Sequence, residues 1–407
     1  MSMKGAIFIF TMFLFPYIYL IVKMFLERQS SMFIENARLL GKNPLHIFFR
    51  IVLPLSQAPI IGGVSLVAFE VLNDYGVVKH FGIPSFTTAI FKTWFGMSDV
   101  DSAMRLAALL MSCVIGLFII ERLLRRRKAY SPPSGKIRPL QRRPLRGVQG
   151  IAVSAFGMLV VALSFIIPVI QLAVWAKWTY RDVLNGKFLA MLGNTLLVAF
   201  ISIALLMLFA IVVANVCRQR RSIFALVLSK LLAMGYSIPG AVLSIGVLAV
   251  SISLDRQLSG VYAAWGWGDN RLVISMSLIM LVTAYVIRFA AVGFNAVEAG
   301  FEKVGNRYTE ASRLLGLGMT RTFFKVDFPL LKGAIWTGSI LAFMEIVKEL
   351  PLTLLLRPFN FDTLATKAYQ YASDEQIHQA AVPSLFIIAV GIVAVWFYHV
   401  LGEKQAK

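Results

Sequence analysis

The chain has 407 residues, 40 Lys+Arg against 20 Asp+Glu for a formal net charge of +20, and a hydrophobic share of 58% with only 15% charged residues. Soluble domains carry about 25% charged residues, and disordered chains are poor in aliphatic and aromatic side chains, so both classes are excluded. A mean hydropathy of +0.76 spread over long uncharged runs leaves an all-α integral membrane protein.

A helix needs about 20 apolar residues to cross a bilayer. Nine stretches meet or approach that length, at 6–24, 60–72, 106–120, 150–176, 188–217, 223–254, 272–294, 333–356 and 380–401. The second and third are short and borrow flanking residues, with Arg105 and Arg122 snorkelling from a helix end. Cys113 and Cys217 fall in separate apolar runs and read as small core residues, with no disulfide framework or metal spacing.

Between the third and fourth stretches, residues 122–146 hold ten basic side chains and no acidic one, punctuated by Pro132, Pro133, Pro139 and Pro144. Such a segment is an extended linker. Flanked by spans, it reads as a cytoplasmic topology anchor and not as a nucleic-acid patch, and the Lys/Arg bias of short loops then sets the orientation. Residues 218–221, the loop 295–328 and the tail after Leu401 follow it to the inside, and the N-terminus lies outside. The resulting organisation is a first domain at 1–121, a basic linker at 122–149 and a second domain at 150–402.

An internal repeat runs through this layout. Glu35-Asn36-Ala37-Arg38-Leu39-Leu40-Gly41 matches Glu310-Ala311-Ser312-Arg313-Leu314-Leu315-Gly316 at an offset of 275, and nine of the 21 positions from Glu35 are identical. The same offset pairs Glu70 with Glu345, Phe86 with Phe361, Thr88 with Thr363, Lys92 with Lys367 and Ser98-Asp99 with Ser373-Asp374. The expectation is two tandem parallel repeats in one orientation, about three spans of the first and six of the second. The equivalent of roughly residues 150–270 is then expected to be missing before the first, through truncation or a late start, the alternative being a partner that supplies the missing spans. No signal peptide is evident at the start.

Each repeated loop reads as helix, glycine break, helix, then a proline opening a span. Residues 35–40 are strong helix formers, and Gly41 permits the backbone turn that ends them. The helix resumes over 45–51 with an apolar face (Leu45, Phe48, Phe49, Val52) and a basic one (Lys42, Arg50), and Pro54 suits the first turn of the next helix. Exposed Leu and Phe on such an elbow make a docking surface for a partner protein. An interfacial helix lying on headgroups would explain one loop, but not a signature kept in both.

These loops resemble the coupling loops of the permeases of bacterial ABC importers, which carry Glu-Ala-Ala, then Gly, then Leu-Pro. Glu35, Ala37, Gly41, Leu53 and Pro54 match in the first copy, and Glu310, Ala311, Gly316 and Pro329 in the second; Asn36 and Phe328 depart from the pattern. The resemblance implies an inner-membrane protein whose loops dock into a separate cytoplasmic ATPase dimer and which receives cargo from a periplasmic binding protein. The chain has no G-x-x-x-x-G-K-[ST] loop, so ATP is used by partner subunits and this chain binds no cofactor. The resemblance narrows to the fused two-domain ferric iron permeases, through Asn73-Asp74-Tyr75-Gly76, Phe86-Thr87-Thr88 and Trp94-Phe95, and through Lys348-Glu349-Leu350-Pro351, the run from Arg357 to Ala365 and Ala372-Ser373-Asp374-Glu375. Related permeases for thiamine, phosphonates or other small anions share the architecture.

Ionisable residues inside spans are expensive and usually functional. Glu70 and Asp74, and their repeat equivalents Glu345 and Glu349, are each four apart and so share a helix face. Four carboxylates along a translocation path would suit a hard trivalent cation. The alternative is that Glu345 pairs with Lys348, while Asp74 and Glu349 lie in water at the outer interface. Arg288 is expected near the cytoplasmic headgroups. The histidines (His46, His80, His378, His399) form no metal motif, and the Pro/Gly tract at 234–240 kinks a helix or lines the path. An intramembrane enzyme would need a nucleophile–base pair, and neither Gly-x-Ser-x-Gly nor paired His is present. A secondary transporter with parallel repeats would not need the duplicated loop.

Overall fold

The structure is a computed structural model that describes residues 2–27, 29–126, 144–219, 222–266, 272–305 and 307–406; most of the basic linker, with Arg220 and Arg221, lies outside them. Among the described residues the chain is helical, with no strand. A helix suits hydrocarbon because it satisfies its own backbone hydrogen bonds.

The first elements are α1 (Met3–Glu27), α2 (Met32–Leu39), α3 (Pro44–Ile47), α4 (Leu53–Leu55), α5 (Gln57–Asn73), α6 (Gly76–His80), α7 (Phe86–Phe91), α8 (Val100–Arg126), α9 (Val148–Val161) and α10 (Ile167–Val183). There follow α11 (Gly186–Gln219), α12 (Ile223–Met234), α13 (Gly240–Ala264), α14 (Leu278–Val304), α15 (Arg307–Leu314), α16 (Met319–Thr322), α17 (Phe328–Val347), α18 (Pro351–Leu356), α19 (Leu364–Ser373) and α20 (Ile377–Ala406). Among the described residues eight helices are long and apolar enough to cross a membrane, and nine if the pair Pro44–Leu55 and Gln57–Asn73, bent by 64°, counts as one span. They coincide with the nine predicted stretches, with three corrections. The run 223–254 is not one interrupted span: α12 stops at a 3-10 turn (Gly235–Ser237), and Pro239, which has no N–H to extend a helix, precedes the crossing helix α13. The run 333–356 ends as a helix at Val347, and Pro351 opens a separate short helix. The run 272–294 starts later and continues to Val304.

Two compact units are present, Met1–Ile170 and Gln171–Lys407. In the first, α1 lies along α5, and α8 packs on α5 and α7. Gly63 lets α5 approach α1 so closely that a Cβ there would lie 3.1 Å from the Ile18 Cα. In the second, α14 is the central helix, packed on α11 and α17, with α20 against α17 and α19. Small residues again set the spacing: a Cβ on Gly338 of α17 would sit 2.9 Å from that of Ala296, and one on Gly300 of α14 would sit 2.5 Å from that of Ala334.

The repeat is a repeat of structure. Met3 opens α1 and Leu278 opens α14, and Gly63 and Gly338 hold matching places, all at the offset of 275. That register does not persist to the end of the copies. Ser85 and Thr88 form a capping box on α7, and Thr363 and Thr366 form the same box on α19, an offset of 278. Thr88 is therefore not the counterpart of Thr363, and the pairings of Phe86 with Phe361 and Lys92 with Lys367 shift likewise; Ser98, at φ 51°, matches Glu375, at φ 61°, an offset of 277, so Ser98-Asp99 does not pair with Ser373-Asp374. The cause is three extra residues, one in α18, which is longer than α6, and two in the link that follows it, within which Arg357 and Asp362 form an ion pair.

Candidate functional site: two elbows and the charged residues behind them

Both elbows are built the same way. Gly41 ends the α2 elbow at φ 71° and Gly316 ends the α15 elbow at φ 83°. In the first, the Gly41 N–H donates to the Arg38 carbonyl (2.9 Å) and the Lys42 N–H to that of Ala37 (3.1 Å); in the second, Gly316 donates to Arg313 (3.0 Å) and Leu317 to Ser312 (3.2 Å). This is the Schellman pattern, which satisfies the last carbonyls of a helix. A Cβ would meet nothing within 4 Å at either glycine, so the left-handed backbone and not space demands the residue. The chain restarts as α3 or α16, continues through a π-helical turn at Phe48–Val52 or Phe323–Asp327, and enters the next helix with Pro54 or Pro329 in its first turn.

The elbows present apolar side chains outward. Leu39 and Leu40 are 86% and 76% exposed, and Leu314 and Leu315 are 89% and 84% exposed. Glu35 and Glu310 are exposed beside them. The two alanines singled out by the motif do different jobs. Ala37 is buried and corresponds to buried Ser312, whose hydroxyl lies 3.0 Å from that of Thr322, whereas Ala311 faces outward, as Asn36 does.

The four carboxylates do not form two shared helix faces. α5 ends at Asn73, and Asp74 has turned to extended backbone (ψ 137°). Its Oδ1 accepts the N–H groups of Val77 (3.0 Å) and Val78 (3.2 Å) at the start of α6. Glu349 lies beyond the end of α17 and does the same for α18, its Oε1 accepting the Leu352 N–H at 3.1 Å. Glu349 is not in water: it is buried and paired with Arg288 Nη1 at 3.0 Å. Arg288 in turn sits in the middle of α14, buried, and not near a headgroup end. Glu345 is half-buried and pairs with Lys348 at 2.9 Å, as the alternative reading anticipated. Among the described residues no three His, Cys, Asp or Glu side chains converge to hold a metal ion.

Sequence reasoning missed a second charged cluster, behind the second elbow. Arg218, at the end of α11, donates from Nη2 to Asp327 Oδ2 at 2.8 Å and to Thr309 Oγ1 at 3.1 Å. The Thr309 hydroxyl donates to Asp327 Oδ1 at 2.7 Å, and the guanidinium lies 4.2 Å from the centre of the Phe301 ring. Asp327 is 1% exposed. A signal was available, because Asp327 stands where the first copy has the apolar Val52.

With this geometry in place, the comparisons with known proteins are specific. The family model for the binding-protein-dependent transport system inner membrane component matches residues 2–130 and 206–407. The chain is 24% identical over 389 residues to the Fe(3+)-transport system permease protein FbpB 2 of Haemophilus influenzae, spanning 94% of this chain and 74% of that one. It is 24% identical over 208 residues to the molybdate/tungstate transport system permease protein WtpB of Methanocaldococcus jannaschii, spanning 51% of this chain and 78% of that one. Among solved structures, a bacterial alginate ABC transporter in complex with an alginate pentasaccharide-bound periplasmic protein superposes with a TM-score of 0.52 at 14% identity, covering 63% of this chain and 95% of that one. That likeness concerns the fold alone.

Proposed function

The chain belongs to the family of binding-protein-dependent transport system inner membrane components, a multi-pass permease of an ABC transporter and not an enzyme, and from that premise we propose that it imports ferric iron. In this reading a periplasmic binding protein delivers the iron, and a cytoplasmic ATPase dimer docks on the two elbows. The observation that carries the cargo is the alignment with a ferric permease along 94% of the chain. Docking is supported by the matched Schellman turns and the four exposed leucines, because a transporter without an ATPase has no use for two copies of one cytoplasmic elbow.

Cargo would pass Glu70 and Glu345, which hold equivalent half-buried places in the two copies. Asp74 and Glu349 would shape that route by fixing the short helices α6 and α18. A second reading, an oxyanion as cargo, is favoured by the molybdate/tungstate relative. Vesicles carrying the permease, its ATPase and its binding protein, supplied with ATP and radioactive ferric iron, separate the two. Iron uptake that excess molybdate leaves unchanged supports the first; molybdate uptake without iron uptake replaces it with the second.

A further inference from the structure

The two elbows share a backbone, but among the described residues only the second has a charged cluster behind it. Behind the second, Arg218 joins four elements through one guanidinium: its own helix α11, α15 through Thr309, the π turn into α17 through Asp327, and the end of α14 through the face of Phe301. Asp327 receives both Arg218 and Thr309, one on each carboxylate oxygen, so the group has little freedom to slide. Behind the first elbow, Val52 and Ile34 stand at the places of Asp327 and Thr309 and offer no acceptor to any cation. A guanidinium that is only 13% exposed, as that of Arg218 is, fixes a distance through its charge-assisted bonds, whereas apolar contacts let helices slip.

We propose that Arg218, Asp327 and Thr309 form a strut that makes the second elbow a rigid transmitter of ATPase motion to the spans. The inference rests on the reading that an ATPase docks on the elbows. In it Arg218 is a positioning residue: it touches neither ATP nor cargo, and it obliges the ends of α11 and α14 to follow α15 when α15 is pushed.

The test uses the complete transporter with its ATPase and binding protein in proteoliposomes. It measures cargo imported per ATP hydrolysed, with a Leu315→Cys cross-link to the ATPase as the docking control. Arg218→Met alone strands a buried carboxylate and is expected to lower the yield of folded protein, so the decisive variant is Arg218→Met with Asp327→Leu, which removes both charges together. The double variant is expected to keep the cross-link and to hydrolyse ATP within about two-fold of the parent, while cargo per ATP falls about ten-fold, a typical size for coupling between sites. Arg218→Lys, which keeps one charge-assisted bond, should fall in between. Unchanged cargo per ATP in the double variant would overturn the strut. So would loss of the folded double variant, which would make the cluster a packing requirement. Failure of the parent to cross-link would instead overturn the docking reading.

Discussion

Asp74 and Glu349 stand 275 residues apart and close the same joint, each lying just past a long helix and accepting the first N–H groups of the short helix that follows. They differ in one respect. Glu349 is held by Arg288 on α14, whereas the position equivalent to Arg288 in the first copy is Phe13 on α1.

That difference predicts unequal consequences for the same substitution. Asp74→Ala removes a helix cap and should cost about 1 kcal/mol. Glu349→Ala also leaves Arg288 buried without its partner, which should cost about 3–5 kcal/mol, and Arg288→Met with Glu349→Leu should recover most of it. Thermal unfolding of the detergent-solubilised protein measures the order. Equal losses from Asp74→Ala and Glu349→Ala would contradict the buried pair.

The elbow glycines give a second prediction. A β-branched residue at Gly41 or Gly316 must adopt the left-handed region at about 1–2 kcal/mol, with no steric contact to blame. Gly41→Val with Gly316→Val should leave membrane insertion intact and reduce the ATPase that co-purifies, while Asn at the same places should be milder. Undiminished co-purification with both valines present sinks the docking role.

How much of this was legible without coordinates follows from range. The spans were readable because hydropathy is a local property, and the elbows because a signature recurred. Helix ends were not. Glu70 and Asp74 fit one face only if the helix runs through Asp74, and it stops at Asn73. The turn residues of Asn73-Asp74-Tyr75-Gly76 carried that information, as Pro351 did for Glu349. The ion pairs Arg288–Glu349 and Arg218–Asp327 join residues 61 and 109 apart in the chain, and no periodicity announces such a partner.

Exposed leucines give a third prediction. Leu39, Leu40, Leu314 and Leu315 make little contact with their own chain, so changing all four to Ser should leave the unfolding temperature nearly unchanged. If they are the centre of an interface, ATPase affinity should fall by about 2 kcal/mol or more. Affinity measured by titrating the ATPase onto the immobilised permease decides it; full affinity would place the interface elsewhere.

Orientation gives the fourth. After replacement of Cys113 and Cys217, a cysteine at Leu315 should react with an impermeant thiol reagent only from the cytoplasm. One at Phe359, 84% exposed in the link between α18 and α19, should react only from outside. Reversed labelling would invert the layout, and with it the side from which the ATPase could approach.

The most direct test of the account is a cross-link. Cysteines placed at Leu40 and at Leu315 should each join the permease to the ATPase in native membranes, because both elbows present the same turn and the same leucines. Neither position cross-linking while ATP-driven uptake proceeds would contradict the account, since the machine would then be working through contacts other than the elbows.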